Sequence, residues 1–403
     1  MSGCSTSCSR CVAGCATALR CCARCGLPET YETIEFDAAG VCNICRGREH
    51  REAAIDWAGR KADLDALVAR YRGKHDYDCI VPFSGGKDST WTLYYLMKEY
   101  RLKPLVVQFN HGFLRPNLLA NNERTFKKLG VEVHTFTPNW TVVKRLMLEA
   151  LVRKGDFCWH CHTGIFSYPM WVALRQQVPL IFWGEPSSEY TSYYDYRDDE
   201  VEEVDETRFN RFVNLGITAE DMLGMIGGTG EAAVDPRDLK CFSYPPVADL
   251  RRLRYRSVCL GSYIPWDARR QSAIIADELG WQGDEVEGMP PGLYPYEKIE
   301  CAMQGVRDYI KFLKRGYGRV TQMTALDIRH GRMDRATADR LVQDHEGRRP
   351  ASLDLFLGYL GISEDEFHRI VAQTVVAPHR PDPAAIPRGA PTHDFAAWYR
   401  ETG

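Results

Sequence analysis

Residues 79–89 read Cys79-Ile80-Val81-Pro82-Phe83-Ser84-Gly85-Gly86-Lys87-Asp88-Ser89. The first five form a short apolar run of the buried-strand type. Ser-Gly-Gly then breaks the run, and a helical pattern follows through about Tyr100. A strand, a glycine-rich loop and a helix in that order make an anion site. Two glycines let backbone N–H groups approach a phosphate closely, and the helix start adds free donors and the positive end of its dipole. Lys87 supplies charge, while Ser84 and Ser89 supply hydroxyls. Asp88 alone would repel an anion, so its place here makes sense if it holds Mg2+. The loop is too short for the pattern G-x-x-x-x-G-K-[ST].

Working outward, the alternation of strand and helix continues. Leu105–Phe109 is a second apolar strand, a helix spans about 117–129, and Val131–Phe136 is a third strand. Helices near 140–153 and 163–177 precede a fourth strand, Leu180–Trp183. Such alternation predicts an α/β fold, a doubly wound and mainly parallel sheet with helices on both faces. In such sheets ligands bind beyond the carboxyl ends of the strands. Gln108, Asn110 and His111 after the second strand, and Gly184 and Glu185 after the fourth, therefore join the loop as candidate site residues. Upstream, residues 50–73 read as a helix with Ile55, Leu64, Leu67, Val68 and Tyr71 on one face. Beyond about 270 the pattern is largely helical, ending in a Pro-rich stretch from Pro378. The expected division is a Cys-rich tail over 1–21, a zinc ribbon over 22–48, a connecting helix over 49–75, a nucleotide-binding domain over 76–275, a helical C-terminal region over 276–377 and a Pro-rich tail over 378–403.

Bulk composition narrows the class. Of 403 residues, 44% are hydrophobic and 26% charged, as in a globular enzyme, and the formal net charge of −3 argues against nucleic acid as the main partner. No run approaches the roughly 18 apolar residues of a membrane span, and Cys, Ser and Arg interrupt any signal-peptide core at the N-terminus. The expected location is cytoplasmic. In that reducing compartment fifteen cysteines need an explanation other than disulfides.

Metal binding is that explanation for four of them. Cys22/Cys25 and Cys42/Cys45 are two Cys-x-x-Cys knuckles separated by sixteen residues. The spacing matches the C-x2-C-x15–20-C-x2-C zinc pattern, and four thiolates make a closed, structural Zn2+ site. Between the knuckles lie an alternating stretch, Tyr31 to Phe36, and the turn Asp37-Ala-Ala-Gly40. Cys21 is a spare. Cys4, Cys8, Cys11 and Cys15 fall in a segment without periodicity. A third knuckle, Phe157-Cys158-Trp-His160-Cys161-His162, suggests a second metal site, with Cys158 and Cys161 as ligands and Cys241 as a distant third.

The loop Ser84–Ser89 resembles the signature of the PP-loop ATP pyrophosphatase superfamily. That resemblance implies a PP-loop/HUP-like fold that binds ATP, cleaves it to AMP and pyrophosphate, and adenylates an oxygen on a second substrate. It also implies ATP contacts from Ser84, Gly85, Gly86, Lys87, Asp88 and Ser89, adenosine contacts from Gln108, Asn110, His111 and Gly184, and catalytic roles for Lys87, Asp88 and Glu185. In its third knuckle the chain is similar to the tRNA-thiolating branch, where a Cys-x-x-Cys and a remote Cys hold a [4Fe–4S] cluster; a second Zn2+ with histidine ligands is the competing choice.

Longer stretches resemble the N-acetyl sugar amidotransferases of bacterial surface-polysaccharide synthesis: Cys22 to Cys45, Ile80 to Ser89, Lys154 to Gly164, Trp183-Gly-Glu185, and Tyr296-Glu-Lys-Ile-Glu-Cys301 through Arg319. This family implies that the acetamido oxygen of an N-acetylated sugar, free or nucleotide-linked, attacks the α-phosphate of ATP, and that ammonia then displaces AMP to leave an acetamidino group for lipopolysaccharide or a related glycan. Neither a G-x-C-x-G elbow nor a cysteine at position 2 is present, Ser2 standing there instead, so no glutaminase is legible. The family implies a separate glutaminase subunit and a barrel-like cyclase-type partner that conducts ammonia; free ammonium is the alternative donor. Arg307, Lys311, Lys314, Arg315 and Arg319 recur at helical spacing as candidate sugar or nucleotide contacts, Arg suiting a uronate carboxylate or a diphosphate. The acidic, Tyr-rich stretch 187–206 is a candidate lid over a reaction from which water must be kept.

Overall fold

In the computed structural model of the chain, residues 9–10, 14–184, 201, 203–228 and 233–399 are described. Five parallel strands form the central sheet: β1 (Cys79–Pro82), β2 (Pro104–Phe109), β3 (Glu132–Phe136), β4 (Leu180–Trp183) and β5 (Arg256–Cys259). Their order is β3-β2-β1-β4-β5. β1 pairs with β2 from Cys79↔Pro104 to Pro82↔Val107, and with β4 at Ile80↔Ile181. The order reverses between β1 and β4, which opens a crevice at their carboxyl ends. Strand burial follows position. β1, β2 and β4 are buried along their whole length, whereas β3, at an edge, alternates between exposed and half-buried residues.

Alternate strand residues feed two cores. Ile80, Leu105, Val107, Phe109 and Ile181 pack with Val142, Leu146 and Ala150 of α5 (Trp140–Lys154) and with Tyr168 and Val172 of α6 (Trp159–Gln176). Cys79, Val81, Val106, Phe182 and Val258 pack on the other face with Leu64, Leu67 and Val68 of α2 (Trp57–Tyr71) and Leu93 and Leu96 of α3 (Lys87–Tyr100). The period of two in the strands thus meets the period of 3.6 in the helices on both faces. α5 serves two cores. Its Val143, Met147 and Leu151 face the C-terminal helices, packing with Val306, Tyr309, Ile310, Phe356 and Phe367.

Three local expectations change. The helix expected over 50–73 is two helices, α1 (Asn43–Ala54) and α2, because the Asp56 side chain accepts the N–H of Gly59 and starts a new helix. The fifth strand, Arg256–Cys259, lies at the second edge and was not expected. Residues 378–399, expected as a tail, pack against the body. His379 and Phe395 are buried, Arg349 and Gly389 are joined by backbone bonds to residues 387 and 349, and His393 Nε2 lies 2.9 Å from Asp284 Oδ1. Apolar side chains at Phe395 and Trp398 supply the reason: they join the core around Phe113. Among the described residues no helix is long and apolar enough to cross a membrane.

Candidate functional site

The glycine-rich loop leaves β1 at the crevice. Gly85 takes φ +89°, and a Cβ there would run into Asn122 Oδ1; one on Gly86 would run into Glu300 Oε1. Only glycine fits at position 85, where φ is positive and Asn122 stands close; at 86 the end of the Glu300 side chain would have to move. Ser89 Oγ accepts from the N–H groups of Ser84 and Gly85 at 3.2 and 3.1 Å, and Ser84 Oγ accepts from Gly86 at 3.3 Å. Gly86 is the N-cap of α3 and offers no side-chain acceptor, so the first amides of α3 face the loop uncapped. Just after β4, Gly184 lets α3 come close, since a Cβ there would stand 3.0 Å from the Asp88 carbonyl oxygen.

A cavity of about 310 Å3 opens beside the loop. Ser84, Asp88 and Ser89 line one side. His111, Gly184 and Cys259 line the strand ends, and Phe109, Phe166 and Trp183 give an apolar wall. Phe166 stacks on Trp183 with ring centroids 4.5 Å apart. Burial, and then the neighbouring His160, pull the His111 imidazole down to about 4, so it is neutral near pH 7.

Lys87 is only 2% exposed, and its Nζ lies 2.9 Å from Asp88 Oδ2 and 2.9 Å from Glu297 Oε2. Burial alone would push the Glu297 carboxyl up; Lys87, Lys298 and Arg319 more than offset it and hold it at about 2. Glu297 Oε1 meets Arg319 Nη1 at 3.2 Å, and Arg319 Nη2 meets Asp308 Oδ1 at 3.4 Å. Two indoles complete the grip on the loop. Trp281 Nε1 donates to the Gly85 carbonyl at 3.0 Å and Trp266 Nε1 to Asp88 Oδ1 at 3.3 Å.

The remaining sequence candidates divide. Gln108 and Asn110 turn toward β3, where Thr135 Oγ1 donates to Gln108 Oε1 and Asn110 Nδ2 donates to Thr137 Oγ1, each at 3.3 Å. Glu185 and most of the stretch 187–206 lie outside the described residues. Lys311 Nζ reaches Gln322, Lys314 Nζ donates to the Lys154 and Gly155 carbonyls at the end of α5, and Arg315 pairs with Glu32 at 3.1 Å. These three are engaged away from the cavity. Burial works against the charge of Arg307, and Cys158 and Asp156 more than offset it. The cavity residues Lys298 and Glu300, and Glu297 buried behind the loop on Lys87, sit in a turn-rich segment without periodicity and were not legible as site residues.

The four knuckle cysteines converge. Cys22, Cys25, Cys42 and Cys45 are buried, with sulfurs all within 4.8 Å of one another. Cys25 Sγ and Cys42 Sγ stand 3.7 Å apart, close to the edge of about 3.8 Å of a tetrahedron with Zn–S bonds of about 2.3 Å. Hydrogen bonds from Cys25, Cys42 and Cys45 pull the Cys22 thiol far down. The N–H of Cys42 donates to Cys22 Sγ at 3.3 Å. The donor set fits Zn2+. Arg335 Nη1 donates to the Cys22 carbonyl at 2.9 Å, and the Tyr31 and Tyr317 rings pack 5.3 Å apart, which docks the ribbon on the C-terminal helices. Cys4, Cys8 and Cys11 lie outside the described residues.

The second metal site needs correcting. Among the described residues no other group of three donors converges. Cys241 lies in the sheet core, held by a bond from Ser167 Oγ to its carbonyl, with its thiol toward the Asp238 carbonyl. Cys158 and Cys161 lie in the other core, with Cys301 as their neighbour. Burial pushes both thiols up.

Residues 294–380 match the family model described as LPS biosynthesis protein WbpG-like, C-terminal domain. The match links this segment to proteins of lipopolysaccharide biosynthesis. The same segment supplies Glu297, Lys298, Glu300 and Arg319 to the loop and cavity. An uncharacterized protein of Methanocaldococcus jannaschii is 24% identical over 140 residues, covering 30% of this chain and 50% of that protein. The chain thus spans about half the length of this curated relative.

Proposed function

We propose that the chain is an ATP-dependent amidotransferase of lipopolysaccharide or related glycan biosynthesis, acting on an N-acetylated sugar. One observation carries this reading: the uncapped start of α3 and the Ser84–Ser89 loop border a partly apolar cavity to which the WbpG-like segment contributes Lys298 and Glu300. The uncapped amides of the first turn of α3, with the Ser84 and Ser89 hydroxyls, bind the phosphates of ATP. Phe109, Phe166 and Trp183 seat the adenine and keep water out. Asp88 would hold Mg2+, which neutralises the phosphates when bound.

An amide oxygen is a very poor leaving group, and adenylation repairs this. The acetamido oxygen attacks the α-phosphorus, the bond to the β-phosphate oxygen breaks, and pyrophosphate leaves from the loop. Ammonia adds to the imidoyl carbon, the C–O bond to AMP breaks, and the amide proton and the surplus ammonia proton leave to give the acetamidino product. Ammonia reaches the chain from a separate glutaminase subunit or as free ammonium. The Cys22–Cys45 cluster holds Zn2+ in a structural role.

Incubation with ATP, Mg2+, ammonium and a panel of free and nucleotide-linked N-acetyl sugars tests the reading. AMP and pyrophosphate should appear in equal amounts with the matching sugar. Release of AMP with tRNA and with none of the sugars would replace this reading by a tRNA-thiolating one.

A further inference from the structure

The charges around the loop do not favour an arriving phosphate. The Lys87 ammonium is shared between Asp88 and Glu297, each at 2.9 Å. The Glu300 carboxylate packs against Gly86. Two carboxylates therefore hold the one buried ammonium, and a third lies beside the loop. Arg319 does not correct the balance, because its guanidinium is held by Glu297 and Asp308. A polyphosphate beside Ser84 and Ser89 calls for a second cation on the cavity wall.

Lys298 and Arg208 stand there, and Arg208 has a partner of its own. Lys298 lines the same cavity as Ser84, Asp88 and Ser89, and it forms no ion pair among the described residues. Its backbone is left-handed, with φ +52°, a conformation that costs any residue with a Cβ. Arg101, Gln177 and Arg254 are also left-handed, but each ends a helix as its C-cap. Lys298 ends no helix; nor does the left-handed Thr33, but that residue lies outside the cavity. The neighbours of Lys298 fix it from both sides: Glu297 is anchored on Lys87 and Arg319, and Glu300 rests on Gly86. Strain upheld in this way at a cavity wall marks a residue held for a ligand.

We propose that Lys298 is the second phosphate-binding cation of this cavity, contributed by the C-terminal segment, and that it takes the pyrophosphate portion of a nucleoside triphosphate. The proposal rests on reading the loop as a nucleotide site. It makes the WbpG-like segment a part of that site rather than a separate module.

Calorimetric titration of the full chain with inorganic pyrophosphate, ATP and adenosine, with Mg2+ present, tests it. K298N removes the charge with a residue that tolerates positive φ, and K298R keeps the charge. K298N should weaken pyrophosphate and ATP binding about tenfold or more while adenosine binding stays within about twofold; K298R should stay within about threefold of wild type. K298G, which relieves the strain, should melt no lower than wild type yet bind pyrophosphate as weakly as K298N. Unchanged pyrophosphate binding by K298N, in a wild-type protein that binds it, overturns the proposal and leaves the nucleotide reading standing. Equal losses of adenosine and pyrophosphate mean a structural role and overturn it too. A wild-type chain that binds neither ATP nor pyrophosphate overturns both.

Discussion

Lys87 shows how a residue at this site balances folding against binding. A buried ammonium between two carboxylates is tolerated only while its partners remain. K87M keeps the volume and removes the charge. It leaves Glu297 buried with Arg319 as its partner, and it should cost about 3 kcal/mol in a denaturant titration. Pyrophosphate affinity should fall at least tenfold in the same protein. Unchanged affinity would mean that the loop does not bind phosphate through this lysine. Gly85 and Gly130 separate space from backbone strain. Both have positive φ, +89° and +66°, but a Cβ at Gly130 meets nothing within 4 Å, whereas at Gly85 it meets Asn122. G130A should cost only the backbone term, about 1 kcal/mol. G85A should cost distinctly more and should lose ATP binding, because Asn122 or the loop must shift. Equal stabilities for the two variants would remove the argument that Asn122 shapes the loop.

The zinc ribbon is an element stabilised by its metal and by the surface it docks on. Thr30 Oγ1 donates to the Arg315 carbonyl, and Arg315 Nη1 donates to the Thr30 carbonyl, both at 2.6 Å. Arg315 closes α7 (Gln304–Arg315), four residues before the Arg319 that pairs with Glu297. Chelation, or C42S, should therefore lower the melting temperature by several degrees, and metal analysis should find one zinc per chain. An unchanged melt after complete stripping would show that the thiols hold no structural metal. The elements differ in how well they could be read. Leu180–Trp183 was legible to the residue because it is apolar, aromatic and bounded by Pro179 and Gly184. The knuckles were legible because four thiols at one spacing have few other uses. Arg256–Cys259 was not, since a four-residue edge strand with Arg and Ser carries no clear alternation. Cys241 was misplaced because sequence separation does not say on which face of α6 a thiol will land. Lys298 and Glu300 were invisible as site residues, since they reach the cavity from a turn and only the tertiary fold brings that turn to Gly86.

The molecule as a whole should be sensitive to mild acid, and the sign follows from its histidines. Burial pulls His111 and His160 down to about 4 and His162 to about 3, with Arg307 adding to the effect at His162. In the unfolded chain each returns to about 6.5. Folded-state values below the unfolded one mean that the unfolded chain binds protons first as pH falls. The stability these neutral imidazoles require is therefore fully present above about 6.5 and is lost on the way down toward 4. Carboxylates enter later. Glu297 is held at about 2 and Asp156 is lowered, so their protonation in the unfolded chain removes stability only near and below about 4.5. Between pH 6.5 and 5 the histidines act alone among these groups. Melting temperature should be flat from pH 7.5 to about 7 and fall by on the order of 5 °C by pH 5. The cluster bridges the sheet and the C-terminal helices, with His111 and His162 on the cavity wall and His160 Nε2 3.3 Å from the His111 carbonyl. The acid-labile unit is thus the site itself, and ATP binding should weaken over the same interval as the melt. H111N combined with H160Q should reduce the pH dependence by more than half without steepening it elsewhere. A melting temperature that stays level from pH 7 to pH 5 in the wild-type chain would show that these imidazoles are not held neutral by burial.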